Sequence, residues 1–349
     1  MTILPKIAKD IINAYDQKIL PNAILLLGEK FSSKKVSAIE LAKKILNEKN
    51  LTNPNLLIFS NIDTIETKAH LSVDSHKVIN RYLEYIKTII FTKCYFSNEK
   101  NLKKIEKNIN YINSVYYKKE YNINIKNELI KNIENINKEL NHSITIYNIK
   151  KIQTWIFSEK EKPKVIYINE IENLSFNVHN SLLKILEEPP LNIYFILAAR
   201  NKNKIPKTIL SRLRIYNFTK PERSLGIKRF KESFLINKDI TIEEYFASFY
   251  KEESKKIKKE VIKILNIIKE KKSIFNLEEI DFFIKDDQSL KIFLNELTIN
   301  IRKDFLENKI NINQYLKYTE HLKNIYKYRP YNQNKKLIIE NLMLNYEEI

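Results

Sequence analysis

The sequence predicts an α/β fold: a parallel-sheet core carrying a helical insert, followed by an all-α second half. Three observations lead there. Five short apolar runs fall between residues 1 and 218, helical-period stretches separate most of them, and beyond about residue 221 the strand signal disappears. Strands that alternate with helices pair in parallel and are covered on both faces, so they read as continuous apolar runs rather than alternating ones.

In chain order the expected strands are 24–27 (ILLL), 56–59 (LLIF), 165–168 (VIYI), 193–198 (IYFILA) and 215–218 (IYNF). Val36, Ile39, Ala42 and Leu46 line one face of a first helix. Ile149, Ile152 and Ile156 mark another; Val178, Leu182 and Ile185 mark a third, which Pro189-Pro190 terminates. The stretch 64–140 is polar, rich in Lys, Asn and Tyr, and reads as an inserted helical subdomain whose charge runs, such as KNLKKIEKN, are solvated faces. Three further stripes predict a helical bundle at the C-terminal end: Ile257, Val261, Ile264 and Ile268; then Leu290, Phe293, Leu297, Ile301 and Phe305; then Leu337, Ile338, Leu342 and Leu344.

The 349 residues, 43% of them hydrophobic, suffice for two or three ordinary cores. No uninterrupted apolar segment approaches the roughly 20 residues that span a bilayer. The opening MTILPKIAKDIINAYD lacks the apolar run and cleavage site of a secretory signal, so a cytoplasmic protein with no membrane partner is expected. Cys94 is the single cysteine, which excludes an internal disulfide and a multi-cysteine zinc site; it reads as a small buried hydrophobe. His70, His76, His142, His179 and His321 have no ligand spacing, so no metal is expected, and no nucleophilic triad can be assembled. The net charge of +19 suits a polyanionic partner, because lysines and arginines at phosphates release counterions. A general drift toward Lys, Asn and Ile codons, with only two glycines in the chain, would produce the same excess.

Residues 28–35, GEKFSSKK, sit between the first strand and the first helix, where a phosphate loop of pattern GxxxxGK[ST] belongs. Gly28 and Lys34 are in register. Ser33 stands where the second glycine would be, adding a Cβ where positive φ is expected, and Lys35 stands where a hydroxyl would bind magnesium. The helix N-terminus still favours anions. In VIYINEIENLS, Asn169-Glu170 occupies the place of a Walker B Asp-Glu, whose Asp holds magnesium and whose Glu polarises the attacking water. The amide of Asn169 replaces the anionic ligand, and Glu170 on its own reads as a strand-end charge.

Downstream, HNSLLKILEEPPLNIYFILAARNKNKIPKTILSRLRIYNF carries the most specific signal. Asn180, Leu182, Leu183, Lys184, Leu186, Glu187, Glu188, Pro189 and Pro190, followed by Lys204, Pro206, Thr208, Ile209, Ser211 and Arg212, match N-x-LLK-x-LEEPP and K-x-P-x-T-I-x-SRC. This pattern resembles the clamp-loader branch of the AAA+ ATPases. LPNAILLLGE resembles the family's opening, Asn53-Pro54-Asn55 stands where the family has His-Pro-Asp, and Asn332-Gln333-Asn334 with LIIENLML is similar to its collar helix. The chain departs from the family in lacking the four-cysteine zinc module, in carrying Ala199-Arg200 at the sensor strand's tip, and in having Leu213 as third residue of the SRC motif.

The resemblance implies an AAA+ P-loop-type sheet core over 1–218 with its insert at about 64–140, a small helical lid over 219–253 and a helical collar for oligomerisation over 254–349. It implies a loader subunit whose own nucleotide site is degenerate at Gly28, Lys34, Asn169 and Glu170, which uses no cofactor and does not hydrolyse ATP. Arg212, supported by Ser211, would reach into a neighbouring subunit's site as an arginine finger, a role that suits a rigid, always-charged fork; the alternative is a helix-end ion pair. Pro206 would pre-set the helix presenting them. The implied partners are gamma/tau and delta subunits, the sliding clamp and primed DNA. Two other readings stay open: a gamma/tau-type ATPase with an unorthodox loop, and a basic scaffold binding nucleic acid through the insert. Adjacent on a helix, Glu187 and Glu188 point about 100° apart, so capping or pairing suits them better than joint catalysis.

Overall fold

The computed structural model describes residues 4–140, 143–158, 162–251, 255, 258–259 and 287–328. Five strands form one parallel sheet: β1 (Ala23–Gly28), β2 (Leu56–Phe59), β3 (Lys164–Ile168), β4 (Ile193–Ala199) and β5 (Arg214–Phe218), in the order β2-β3-β4-β1-β5. Every expected strand is present, one residue longer at one or both ends in four cases. This is an α/β core with a parallel sheet, the fold class the sequence predicts.

The two faces of the sheet are buried separately. Ile24, Leu26, Leu56, Ile58, Val165, Tyr167, Ile196 and Ala198 belong to one core, and Leu25, Leu57, Phe59, Ile166, Ile168, Phe195 and Leu197 belong to the other. Successive side chains of a strand point to opposite faces, so a strand covered on both sides must be apolar at every position. Helices α1 (Lys6–Asp16) and α2 (Lys34–Leu46) cover the first face through Ala8, Ile11, Ala38, Leu41 and Ile45.

Among the described residues, five helices lie between β2 and β3: α3 (Thr64–Leu71), α4 (His76–Tyr95), α5 (Glu99–Val115), α6 (Ile123–Glu139) and α7 (Ile146–Phe157). The α4 residues Ile79, Leu83, Ile86 and Ile89 and the α5–α6 residues Ile105, Ile112, Leu129 and Ile133 extend the first core, while the lysines of α5 at 103, 104 and 107 are exposed. The second face is covered by α7 and by α8 (Phe176–Glu187). Buried Lys164 ties β3 to α7: its ammonium donates to the carbonyls of Trp155, at 2.6 Å, and Ser158, a cation at a helix C-terminus where the dipole favours it.

Gly28 closes β1 against β5. A Cβ there would stand 2.2 Å from the carbonyl oxygen of Phe218, so no larger residue fits regardless of any ligand. The short helix α9 (Lys207–Leu210) leads into β5, and α10 (Arg223–Phe234) and a helical stretch over 242–251 follow it.

The chain divides into two compact units, Met1–Phe246 and Ala247–Ile349. In the second unit the helices Asp287–Leu306 and Ile312–Tyr328 pack through Leu290, Phe293, Leu297 and Ile301, the expected stripe, with Tyr318 and Leu322 also buried and Phe305 stacked on Tyr315 at 4.5 Å. The stripes at 257–268 and 337–344, the 332–334 motif and the 253/254 boundary lie outside the described residues, apart from isolated positions. Among the described residues no helix is long and apolar enough to cross a membrane.

Candidate functional site

In a parallel sheet the loops leaving the strands' carboxyl ends gather on one edge, the usual ligand position of such folds. Here that edge collects the loop after β1, Asn169 and Glu170 after β3, and Arg200 after β4. The β1–α2 loop holds two residues in the left-handed region, Phe31 (φ 65°) and Ser33 (φ 72°). Ser33 therefore adopts the conformation for which a glycine is the unstrained choice, at a cost of roughly 1–2 kcal/mol.

Lys34 turns back into the loop. Its ammonium donates to the carbonyls of Gly28, of Glu29 at 3.2 Å and of Ala199 at 2.9 Å. Burial pushes its pKa down to about 8, with Glu172 and Glu170 opposing that shift and Arg200 adding to it. Lys35, at the hydroxyl position, forms an ion pair with Glu66 and lies over the Tyr85 ring at 4.0 Å. Burial acts to raise the Glu66 carboxyl, but Lys35 and neighbouring His70 outweigh it and hold it below the usual range. Asn169 donates to Ser60 Oγ at 3.4 Å. Glu170, itself left-handed at φ 55°, is engaged by the Arg200 guanidinium, while the Arg200 backbone N–H donates to Glu172 at 2.7 Å.

The fold family implies a magnesium nucleotide at this edge. The side chains do not fit one: the hydroxyl and anionic positions that would hold the cation carry an ammonium and an amide, and the remaining carboxylate is matched by an arginine. The loop's partners from beyond β5 are not legible in the sequence. Arg229 of α10, 6% exposed, donates to Ser33 Oγ at 3.2 Å, and its Nε has no hydrogen-bond partner. Phe31 packs on Phe246 at 5.6 Å, and Lys220 pairs with Glu29 at 3.2 Å. Sequence reasoning misses Arg229 because no motif marks the expected lid.

Arg212 and Ser211 lie immediately after α9, which Pro206 precedes; they leave its C-terminal end rather than lying within it. Ser211 Oγ donates to the Thr208 carbonyl at 3.0 Å. Arg212 donates to that same carbonyl at 2.7 Å and pairs with Glu187, the last residue of α8. Of the two adjacent glutamates, Glu187 is thus an ion-pair partner. Leu213 turns inward and is buried. His179 packs in the core, its Nε2 3.0 Å from the Ile171 carbonyl, with burial lowering its pKa. Burial raises the half-buried Cys94 thiol to about 11.

Residues 3–222 match the family described as DNA polymerase III, delta subunit. Among curated proteins, the chain is 34% identical over 99 residues to the DNA polymerase III subunit delta' of Buchnera aphidicola subsp. Baizongia pistaciae, covering 28% of this chain and 30% of that one. It is 40% identical over 86 residues to the subunit gamma of Buchnera aphidicola subsp. Acyrthosiphon pisum, covering 25% and 24%. A gamma subunit-related protein of Thermotoga maritima superposes over 98% of both chains at 14% identity, with a TM-score of 0.40, too weak a likeness to carry an argument. The alignments thus span less than a third of these curated relatives' length. With almost two thirds of its length matched, the chain belongs to the DNA polymerase III delta-subunit family, among the clamp-loader proteins.

Proposed function

We infer that this protein is the delta-prime-type, non-hydrolysing subunit of a DNA polymerase III clamp loader. It would assemble with gamma/tau and delta subunits in a ring that opens the sliding clamp and leaves it around primed DNA, in the cytoplasm. The observation carrying this reading is a contrast between two arginines and a lysine. At the chain's own phosphate loop, Lys35 and Arg200 are already committed to Glu66 and Glu170, in the places where a magnesium ion and its water would be handled. Arg212 stands 31% exposed at the end of a short helix, held by an exposed carboxylate that it can leave.

In a ring, a guanidinium so placed would stabilise charge on the phosphoryl group transferred in an adjacent subunit, worth about three to five orders of magnitude in rate at that site. Arg212→Ala is expected to leave ring assembly intact and to cut DNA-stimulated ATP hydrolysis by the reconstituted ring; undiminished hydrolysis removes the finger. The gamma/tau-type ATPase reading draws support from the similarity to gamma subunits, and predicts saturable, magnesium-dependent ATP binding by the isolated chain.

A further inference from the structure

The insert between β2 and β3 grips more than the sheet. Its helices α3 and α4 also meet α10 and Tyr245-Phe246, the part of the chain where a lid is expected. His70, near the end of α3, stacks on Tyr82 of α4 at 4.2 Å and meets Phe234 at 4.8 Å and Phe246 at 5.9 Å. The Tyr245 hydroxyl donates to the Ala69 carbonyl at 3.0 Å and lies 2.8 Å from Ser72 Oγ, both where α3 ends. The Arg81 guanidinium of α4 donates to the carbonyl of Ser233, in the last turn of α10, where the helix dipole favours a cation.

The insert's side of this contact is fixed to the sheet. Glu84, Thr88 and Thr92 follow one another four residues apart on α4 and so share one face. They serve the edge strand β2 and the residue Leu51 before it. Glu84 accepts from the Leu51 N–H at 2.6 Å, Thr88 donates to the Leu51 carbonyl at 3.2 Å, and Thr92 accepts from the Ile58 N–H at 2.9 Å. Asp63 caps α3 by accepting from the N–H groups of Ile65 and Glu66, and His70 Nδ1 lies 2.8 Å from the Glu66 carbonyl, which orients its ring. The other side is a cluster of its own, in which Phe230 and Phe234, both buried, and Tyr245 stand with ring centroids 5.0–5.3 Å apart. That segment also reaches the β1–α2 loop, through Arg229 on Ser33 and Phe246 on Phe31. Gripped by the insert and resting on the loop, it cannot lift from the loop while the insert's contacts hold.

We propose that the insert is a latch: α3 and α4 hold the expected lid, from α10 to Phe246, down on the β1–α2 loop, so that its closure is set by this chain's own side chains. A ligand closes a lid only by as much as it binds the closed state better than the open one. A latch supplies that bias permanently. The device belongs to the single chain and uses neither Arg212 nor Glu187, so it and the arginine finger stand or fall by different measurements.

The test is amide hydrogen exchange of the full chain, read by mass spectrometry on peptides from α10 and, as a reference, from β4. His70→Ala with Arg81→Ala is expected to speed exchange in α10 by about tenfold or more, because the free energy of local opening sets protection, and to leave β4 within about twofold of the parent. Tyr245→Phe keeps the ring and loses only the hydroxyl's bonds to α3; it should speed exchange in α10 by about two- to tenfold, and it reads the latch even if the double variant does not fold. In the parent, magnesium ATP should leave exchange in α10 as it was. The proposal is overturned if exchange in α10 is unchanged in the variants, if it rises equally in β4, or if magnesium ATP slows it in the parent.

Discussion

The Arg212 guanidinium is held by Glu187, 25 residues earlier in the chain, where α8 ends against α9. Both partners are partly exposed, at 31% and 47% of their side chains, and a pair in that setting is worth about 0.2–1 kcal/mol. The pair with Glu187 can therefore open at little cost.

Glu187→Gln follows from this. The substitution should leave stability within about 1 kcal/mol of the parent, measured by urea denaturation, and should hold or raise DNA-stimulated hydrolysis by the reconstituted ring. A fall in hydrolysis as deep as that of Arg212→Ala would mean that the ion pair itself is the working arrangement.

The loop can be tested by restoring what it lacks. Ser33→Gly removes the strain at φ 72°, Lys35→Thr returns a hydroxyl, and Asn169→Asp returns an anionic ligand. Together they should give the isolated chain magnesium-dependent binding of a fluorescent ATP analogue at least about tenfold tighter than any shown by the parent. Parent binding as tight as the variant's, with the same magnesium dependence, would show the loop to be functional as it stands.

His70 gives a pH signature. It stacks on Tyr82 at 4.2 Å, packs on Phe234 at 4.8 Å, and burial brings its pKa down to about 4, opposed by Glu66. The unfolded chain, with an ordinary imidazole near 6.5, binds the proton more readily, so stability is present above that pH and is lost as pH falls toward 4. The loss amounts to up to about 3 kcal/mol at roughly 1.4 kcal/mol per pH unit. In His70→Gln the slope of unfolding free energy between pH 6.5 and 4 should flatten; an unchanged slope would place the acid sensitivity elsewhere.

The sheet was legible because its strands are buried on both faces. A run such as VIYI, apolar at four successive positions, has no other comfortable place in a folded chain. The replaced loop positions were equally legible, since a lysine or an amide cannot be read as a hydroxyl or a carboxylate, and Ser33 does take the positive φ expected of it. What surrounds the loop was not. Lys35–Glu66, Arg200–Glu170 and Arg229–Ser33 join residues 31, 30 and 196 positions apart. In a chain with 30% charged residues such partners look like any other solvated charge until the fold brings them together.

The direct test sets Lys34→Ala beside Arg212→Ala in the same reconstituted ring and measures DNA-stimulated ATP hydrolysis. If the chain's own pocket is idle and its arginine serves a neighbour, Lys34→Ala leaves the rate at the parental value while Arg212→Ala removes turnover at one site. A rate abolished by Lys34→Ala and kept with Arg212→Ala contradicts the account.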